Sequence, residues 1–184
     1  MRTIQTREEQ DKTKKRNQII IGIVLSVIML FSTVGYAIIS KKDTVTAEKD
    51  KGFDFVKQGE MWILSLDGSK NVYFHYLPSE VENVSVIGTY NLQYYEGKPL
   101  YFVNNNLASQ DILGAIGDKV LRYQDACMEG MNCTNFPVKD CNSNVIIFEV
   151  KDDTKVRQDK NCVYISGNYQ KGVDAWLYRL LGIL

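Results

Sequence analysis

The chain has 184 residues, with 22 Lys and Arg against 22 Asp and Glu, so its formal net charge is zero. The balance is uneven: residues 1–51 carry 10 basic and 6 acidic side chains, and residues 52–184 carry 12 and 16. An acidic C-terminal part excludes a basic nucleic-acid binder, which needs a clustered positive face. With 45% hydrophobic residues the chain is not disordered.

Ile19–Ile39 is a run of 21 residues without a charge. At 1.5 Å per residue a helix of that length spans about 30 Å, the thickness of a bilayer's hydrocarbon core. The run predicts a single transmembrane helix, with Ser26, Ser32 and Thr33 tolerated because such hydroxyls bond back to the preceding turn. Lys12, Lys14, Lys15 and Arg16 precede it, and Lys41, Lys42, Lys49 and Lys51 follow. These flanks alone barely orient the helix. Cysteines and glycosylation triplets in the C-terminal part favour an N-terminus inside and the domain outside. Gly35-Tyr36-Ala37 offers a signal-peptidase site, but the apolar run continues past it, which favours an uncleaved anchor.

Four segments follow: residues 1–18 as a cytoplasmic basic tail, 19–39 as the membrane helix, 40–51 as a charged linker and 52–184 as one extracytoplasmic domain. Within the domain, Phe53–Val56 and Met61–Leu64 read as strands. Asp67-Gly68 reverses the chain before a strand at Val72–Tyr76, which Pro78 stops. Val84, Val86, Tyr90, Leu92 and Tyr94 alternate at period two. Glu96–Pro99 is a turn, and Leu100–Val103 is continuously apolar, as in a strand buried on both faces. Ile112, Ile116, Val120 and Tyr123, with Leu113 beside them, form a helical stripe that Asn106 or Ser109 caps. Strands follow at Val145–Val150 and Cys162–Ile165, separated at Asp152-Asp153. Tyr169, Val173, Trp176, Leu177, Leu180 and Leu184 mark an amphipathic helix, with Asp174 mostly off its apolar stripe. The order predicts an α+β fold: a mixed sheet carrying two helices on one face. If the Leu100 and Val145 strands are parallel neighbours, their crossover should be right-handed.

The block NCVYISGNYQKGVDAWLYRLLGIL, the single anchor and the stretch FHYLPSEVENV resemble small membrane-anchored archaeal proteins of unknown function. The resemblance implies location and architecture and brings no activity with it.

The cysteines, Cys127, Cys133, Cys141 and Cys162, have spacings unlike the close pairs of zinc sites, and C-x-x-C is absent. Structural disulfides fit better. With the helix antiparallel to its flanking strands, Cys127 comes near Cys141, and Cys133 is tethered between them. If the last two strands form a hairpin, Cys162 sits at its far end, roughly 20 Å away at about 3.3 Å per residue. Pairing among the first three is therefore expected, which leaves Cys162 without an assigned partner. Asn83 and Asn132 begin N-x-S/T triplets. Asn104-Asn105-Asn106 reads as a turn and helix cap rather than a glycosylation site.

His75, the only histidine, reads as one polar position in a strand, although a Ser-His-Asp arrangement is formally open. Glu80, Glu82, Asp152 and Asp153 read as solvated, and no phosphate-loop, dinucleotide or zincin motif occurs. No cofactor, metal or nucleic-acid partner is implied. What remains is a non-catalytic binding or envelope-assembly module held in the lipid bilayer, with an envelope protein as a partner. The alternative is an envelope enzyme, a thiol-disulfide oxidoreductase or a hydrolase.

Overall fold

The structure, a computed structural model, describes residues 7–39, 46–66, 68–131 and 133–184; in the first segment side chains are described from 14 to 31. The chain divides into two units at Asp43 and Thr44.

The first unit contains one helix, α1, over Arg7–Ile39. Ser26 Oγ donates to the Gly22 carbonyl at 2.9 Å, the back-bond expected of a hydroxyl in an apolar helix. Ser32 and Thr33 lie beyond its described side chains. Among the described residues no helix is long and apolar enough to cross a membrane. The described side chains of α1 stop at Phe31 and include Lys14, Lys15 and Arg16.

The second unit opens with an antiparallel meander of β1 (Thr46–Asp50), β2 (Phe53–Gln58), β3 (Met61–Leu66) and β4 (Lys70–Phe74). Lys51 and Gly52, both at positive φ, make the two-residue turn between β1 and β2. Gly68 turns β3 into β4 with φ +68°; its neighbour Asp67 lies outside the described residues. Then come α2 (Pro78–Val81), β5 (Ser85–Ile87), a 3-10 turn at Leu92–Tyr94, β6 (Pro99–Val103), α3 (Ala108–Ile116) and β7 (Arg122–Asp125). The chain ends with β8 (Cys127–Met128), β9 (Val138–Lys139), β10 (Asn144–Glu149), β11 (Lys155–Asp159), β12 (Cys162–Ser166) and α4 (Tyr169–Leu180). A six-stranded mixed sheet has the order β5-β11-β12-β10-β6-β7, and β8 pairs with β9 separately. The α+β expectation holds.

One apolar core joins Phe55, Leu64, Val72 and Phe74 of the meander to Ile112 and Ile116 of α3. It continues through Trp176, Leu177 and Tyr178 of α4 to Leu100, Phe102, Ile146, Phe148, Val163 and Ile165 of the large sheet. The helices are therefore covered on both sides. Tyr178 stacks on Phe74 at 4.2 Å and meets Phe55 edge-on at 6.1 Å. A β-carbon on Gly172 would lie 2.7 Å from Ile165 Cγ2, so its hydrogen lets α4 approach β12. The alternate residues of the large sheet, Tyr101, Val103, Val145, Ile147 and Cys162, form a second cluster on its other face. That double burial explains the unbroken apolar text of β6 and β10.

Four expectations are corrected. The stretch 40–51, read as linker, supplies β1; residues 40–45 lie outside the described residues. β1 is exposed along most of its length, so its backbone pairing with β2 left no apolar alternation to read. The period-two run from Val84 to Tyr94 contains only the short β5 before the 3-10 turn. The helix α3 ends at Ile116. Beyond Gly117, Leu121 N–H donates to the Lys98 carbonyl, and the chain joins β6 as β7, carrying Tyr123 into the sheet. Finally, the return to Cys162 is not a hairpin with β10. The chain first forms β11, outside β12, and β12 then runs parallel to β10 with Val145 opposite Cys162.

Candidate functional site

The parallel strands β6 and β7 end at the same edge, where Phe102 pairs with Asp125. Three asparagines leave that edge, each with a different task. Asn104 adopts φ +53° and donates from Nδ2 to the Phe148 carbonyl at 3.1 Å, tying the turn to β10. Asn105 Nδ2 donates to Asp125 Oδ1 at 2.6 Å, bridging the two strand ends. Asn106 Oδ1 accepts from the Ala108 N–H at 2.9 Å and so starts α3, as expected; Ser109 Oγ donates to the Asn106 carbonyl. Left-handed φ costs a non-glycine residue about 1–2 kcal/mol, least for Asn, whose short side chain bonds locally.

Beyond β7, β8 carries Cys127, whose N–H donates to the Pro137 carbonyl at 3.0 Å. A disulfide joins Cys127 to Cys133, with their Cα atoms 6.3 Å apart. The closed loop carries Met131, and Phe136 follows it. Together with Val103, Asn104, Asn105 and Asp125 they line a half-open cavity of about 300 Å³. Cavities at the carboxyl ends of parallel strands are where open α/β sheets take ligands.

The second disulfide joins Cys141 to Cys162, with Cα atoms 4.9 Å apart. This overturns the exclusion of Cys162, because parallel β12 places its first residue beside the first residues of β10. The Cys127–Cys133 bridge meets the expectation of a bridge among the first three cysteines. Of the two glycosylation triplets, Asn83 is exposed in the turn after α2, and Asn132 lies outside the described residues.

A second polar cluster joins β4, α3 and α4. His75 lies just past β4 rather than within a strand, and its Nε2 is 3.2 Å from Asp111 Oδ2 on α3. Asp174 on α4 is fully buried, not off the packed face, because α4 has sheets on both sides. Its Oδ2 accepts from the His75 and Tyr76 N–H groups, each at 2.8 Å. Its Oδ1 is buried without a partner among the described residues. Burial raises the Asp174 carboxyl well above the usual range, against the two N–H bonds, and also raises Asp111 despite His75. Tyr178 Oη donates to the Tyr76 carbonyl at 2.7 Å. The cluster pins the bend after β4 to α4. The His75 ring is paired with the Asp111 carboxylate.

Glu80, Glu82, Asp152 and Asp153 are exposed, as expected, although Glu80 accepts from the Leu77 N–H and Glu82 pairs with Lys51. Among the described residues no cluster of His, Cys, Asp or Glu is placed to hold a metal ion.

Sequence reading missed two partners. Asp174 was legible only through its neighbours Gly172 and Ala175, small residues that let a helix be covered twice. Asp125 gave no signal, because β7 was hidden within an apparent helical stripe. Compared with family models, curated proteins and solved structures, the chain matches none.

Proposed function

We propose that the chain is a single-pass membrane protein whose tail lies inside the cell. Its C-terminal domain is an extracytoplasmic binding or envelope-assembly module. The observation that carries this reading is the uncharged run Ile19–Ile39, continuous within the helix α1 and extending beyond its described side chains. The pairing of all four cysteines supports an oxidising compartment. A tether leaves the domain's surface available to a ligand or an envelope partner, and the cavity beside Asp125 is one recess that surface offers. The resemblance of the C-terminal block to small membrane-anchored archaeal proteins points the same way.

Thiol exchange fits this domain poorly. Cys127 and Cys162 are almost wholly buried and their partners Cys133 and Cys141 are half-buried, and the chain has no C-x-x-C motif to stabilise a thiolate. A hydrolase reading has one observation in its favour, the His75–Asp111 pair, which supplies the base and orienting carboxylate of a triad.

Protease added to intact cells tests the topology. Loss of the domain with retention of a membrane-embedded N-terminal fragment is expected. A domain protected until lysis would reverse the orientation, and a chain that washes off the membrane at high pH would remove the anchor.

A further inference from the structure

The cavity beside Asp125 has a chemistry that narrows what can occupy it. Its volume of about 300 Å³ is at the lower end of small-molecule sites, enough for one ring-sized ligand. Among the described residues Asp125 is the only ionisable side chain in the lining apart from cysteine, and the cysteines there are bridged. Among the described residues no Lys, Arg or His lines the cavity, so a phosphate or carboxylate ligand finds no counter-charge there and meets a carboxylate instead.

What the lining offers is hydrogen bonding and an apolar wall. Asn105 gives one N–H to Asp125 Oδ1. That leaves its second N–H, its carbonyl oxygen and Asp125 Oδ2 without side-chain partners among the described residues. Acceptor and donor therefore stand side by side on two strand ends. Neighbouring hydroxyls on one ring match that arrangement, because each both donates and accepts. Phe136 and Met131 are 52% and 44% exposed, large apolar groups at the surface, Met131 within the Cys127–Cys133 loop and Phe136 just after it. The C–H face of a sugar ring is the complementary apolar surface.

The polar side is also held in place before any ligand arrives. Lys51 and Lys160, the other non-glycine residues at positive φ among the described residues, occupy two-residue hairpin turns. Asn104, in the cavity lining, does not; its strain is held by the bond to the Phe148 carbonyl. Strain retained outside a tight hairpin accompanies ligand sites, and a fixed site loses less entropy on binding. At the opposite ends of the strands a recess of similar size is lined by Lys98, Pro99, Tyr101, Ser143 and three asparagines. There Asn144 is bonded to the Tyr94 carbonyl and Asn161 to the Asn142 carbonyl, so the amides serve loop closure.

We propose that this cavity binds a single neutral saccharide unit, with Asp125 and Asn105 bonding adjacent hydroxyls and Phe136 stacking on the ring. The proposal deepens the binding-module reading and rests on it, since a domain outside the membrane faces envelope saccharides.

The test uses the full chain in a detergent without a sugar headgroup and ligand-observed saturation-transfer NMR. The probes are glucose, galactose, mannose, N-acetylglucosamine, glucosamine and glucuronate. Millimolar binding of at least one neutral sugar is expected, weaker for glucuronate because of the Asp125 charge. Asp125→Ala and Asn105→Ala should each lower affinity at least tenfold, and Phe136→Ala several-fold, while Asn142→Ala at the far end has no effect. Retained disulfides and circular dichroism establish that each variant folds; if Asp125→Ala does not fold, Asp125→Asn takes its place. No transfer from any neutral sugar, equal binding of glucuronate, a strong preference for the amine of glucosamine, or binding unchanged in Asp125→Ala and Phe136→Ala each overturns the assignment. Failure of sugar binding in an oxidised, outward-facing domain removes this proposal alone. A protected domain with free thiols removes the reading beneath it.

Discussion

The two faces of the large sheet are built in different ways. One packs Leu100, Phe102, Ile146, Phe148, Val163 and Ile165 against α3 and α4, which the meander covers in turn. The other turns Tyr101, Val103, Val145, Ile147 and Cys162 toward β8, β9 and their loops. The helical cover is thick and apolar. The cover on the second face contains two strands of two residues each and has no repeating apolar pattern. Cross-links hold it: Cys141–Cys162 fixes its exit to the sheet, and Cys127–Cys133 closes its middle. A periodic face is stabilised by burial, and an aperiodic one needs covalent closure.

The largest effect belongs to the helical face. Trp176 is fully buried, edge-on to Tyr95 at 5.8 Å and to Tyr90 at 6.5 Å. Trp176→Ala should cost about 3–5 kcal/mol, a large share of a typical domain's stability. Urea unfolding monitored by circular dichroism measures it; a loss below about 1 kcal/mol would mean that the layer repacks.

The cross-links come next. In the chain-entropy model, closing the Cys141–Cys162 segment stabilises by about 3 kcal/mol and closing the shorter Cys127–Cys133 segment by about 2. Replacing each pair by serine should therefore separate them. Loss of Cys141–Cys162 lowers global stability, whereas loss of Cys127–Cys133 chiefly frees the cavity loop. Hydrogen exchange distinguishes the two: protection in α4 should survive the second change and not the first.

A third contrast concerns Asp174 and is smaller. Asp174→Ala leaves the His75 and Tyr76 N–H groups without their acceptor, at about 1–3 kcal/mol. Asp174→Asn keeps an acceptor and removes the ionisation. Between the unfolded-state value of about 3.9 and the raised native value, the unfolded chain binds fewer protons than the folded one. This group's stabilising contribution is thus complete in acid and falls as the pH rises through that window. Asp174→Asn should flatten that decline relative to the native chain in pH-dependent melting; a parallel profile would show that Asp174 titrates normally.

The face built by periodicity was also the legible one. The stripe from Tyr169 to Leu180 and the apolar runs of β6 and β10 recur in the structure because burial follows their period. Val120 and Tyr123 fell on the α3 stripe by spacing alone, and pairing with β6 outweighed that coincidence. In β11 only Val156 is buried among charged and polar neighbours, too little to announce a strand. Without β11, a hairpin followed, and with it the wrong place for Cys162. The candidate cavity was least legible: its asparagines were read as turn and cap residues, and its carboxylate stood on an unrecognised strand.

The proposed extracytoplasmic placement of the domain and the two disulfides on its second face stand or fall together. The direct measurement is the state of its cysteines in cells: thiols are blocked by alkylation before lysis, and the chain is then digested without reductant and its peptides weighed. Linked peptides Cys127–Cys133 and Cys141–Cys162, with no blocked cysteine, are the predicted result. Four alkylated cysteines would contradict both the bridges and the compartment.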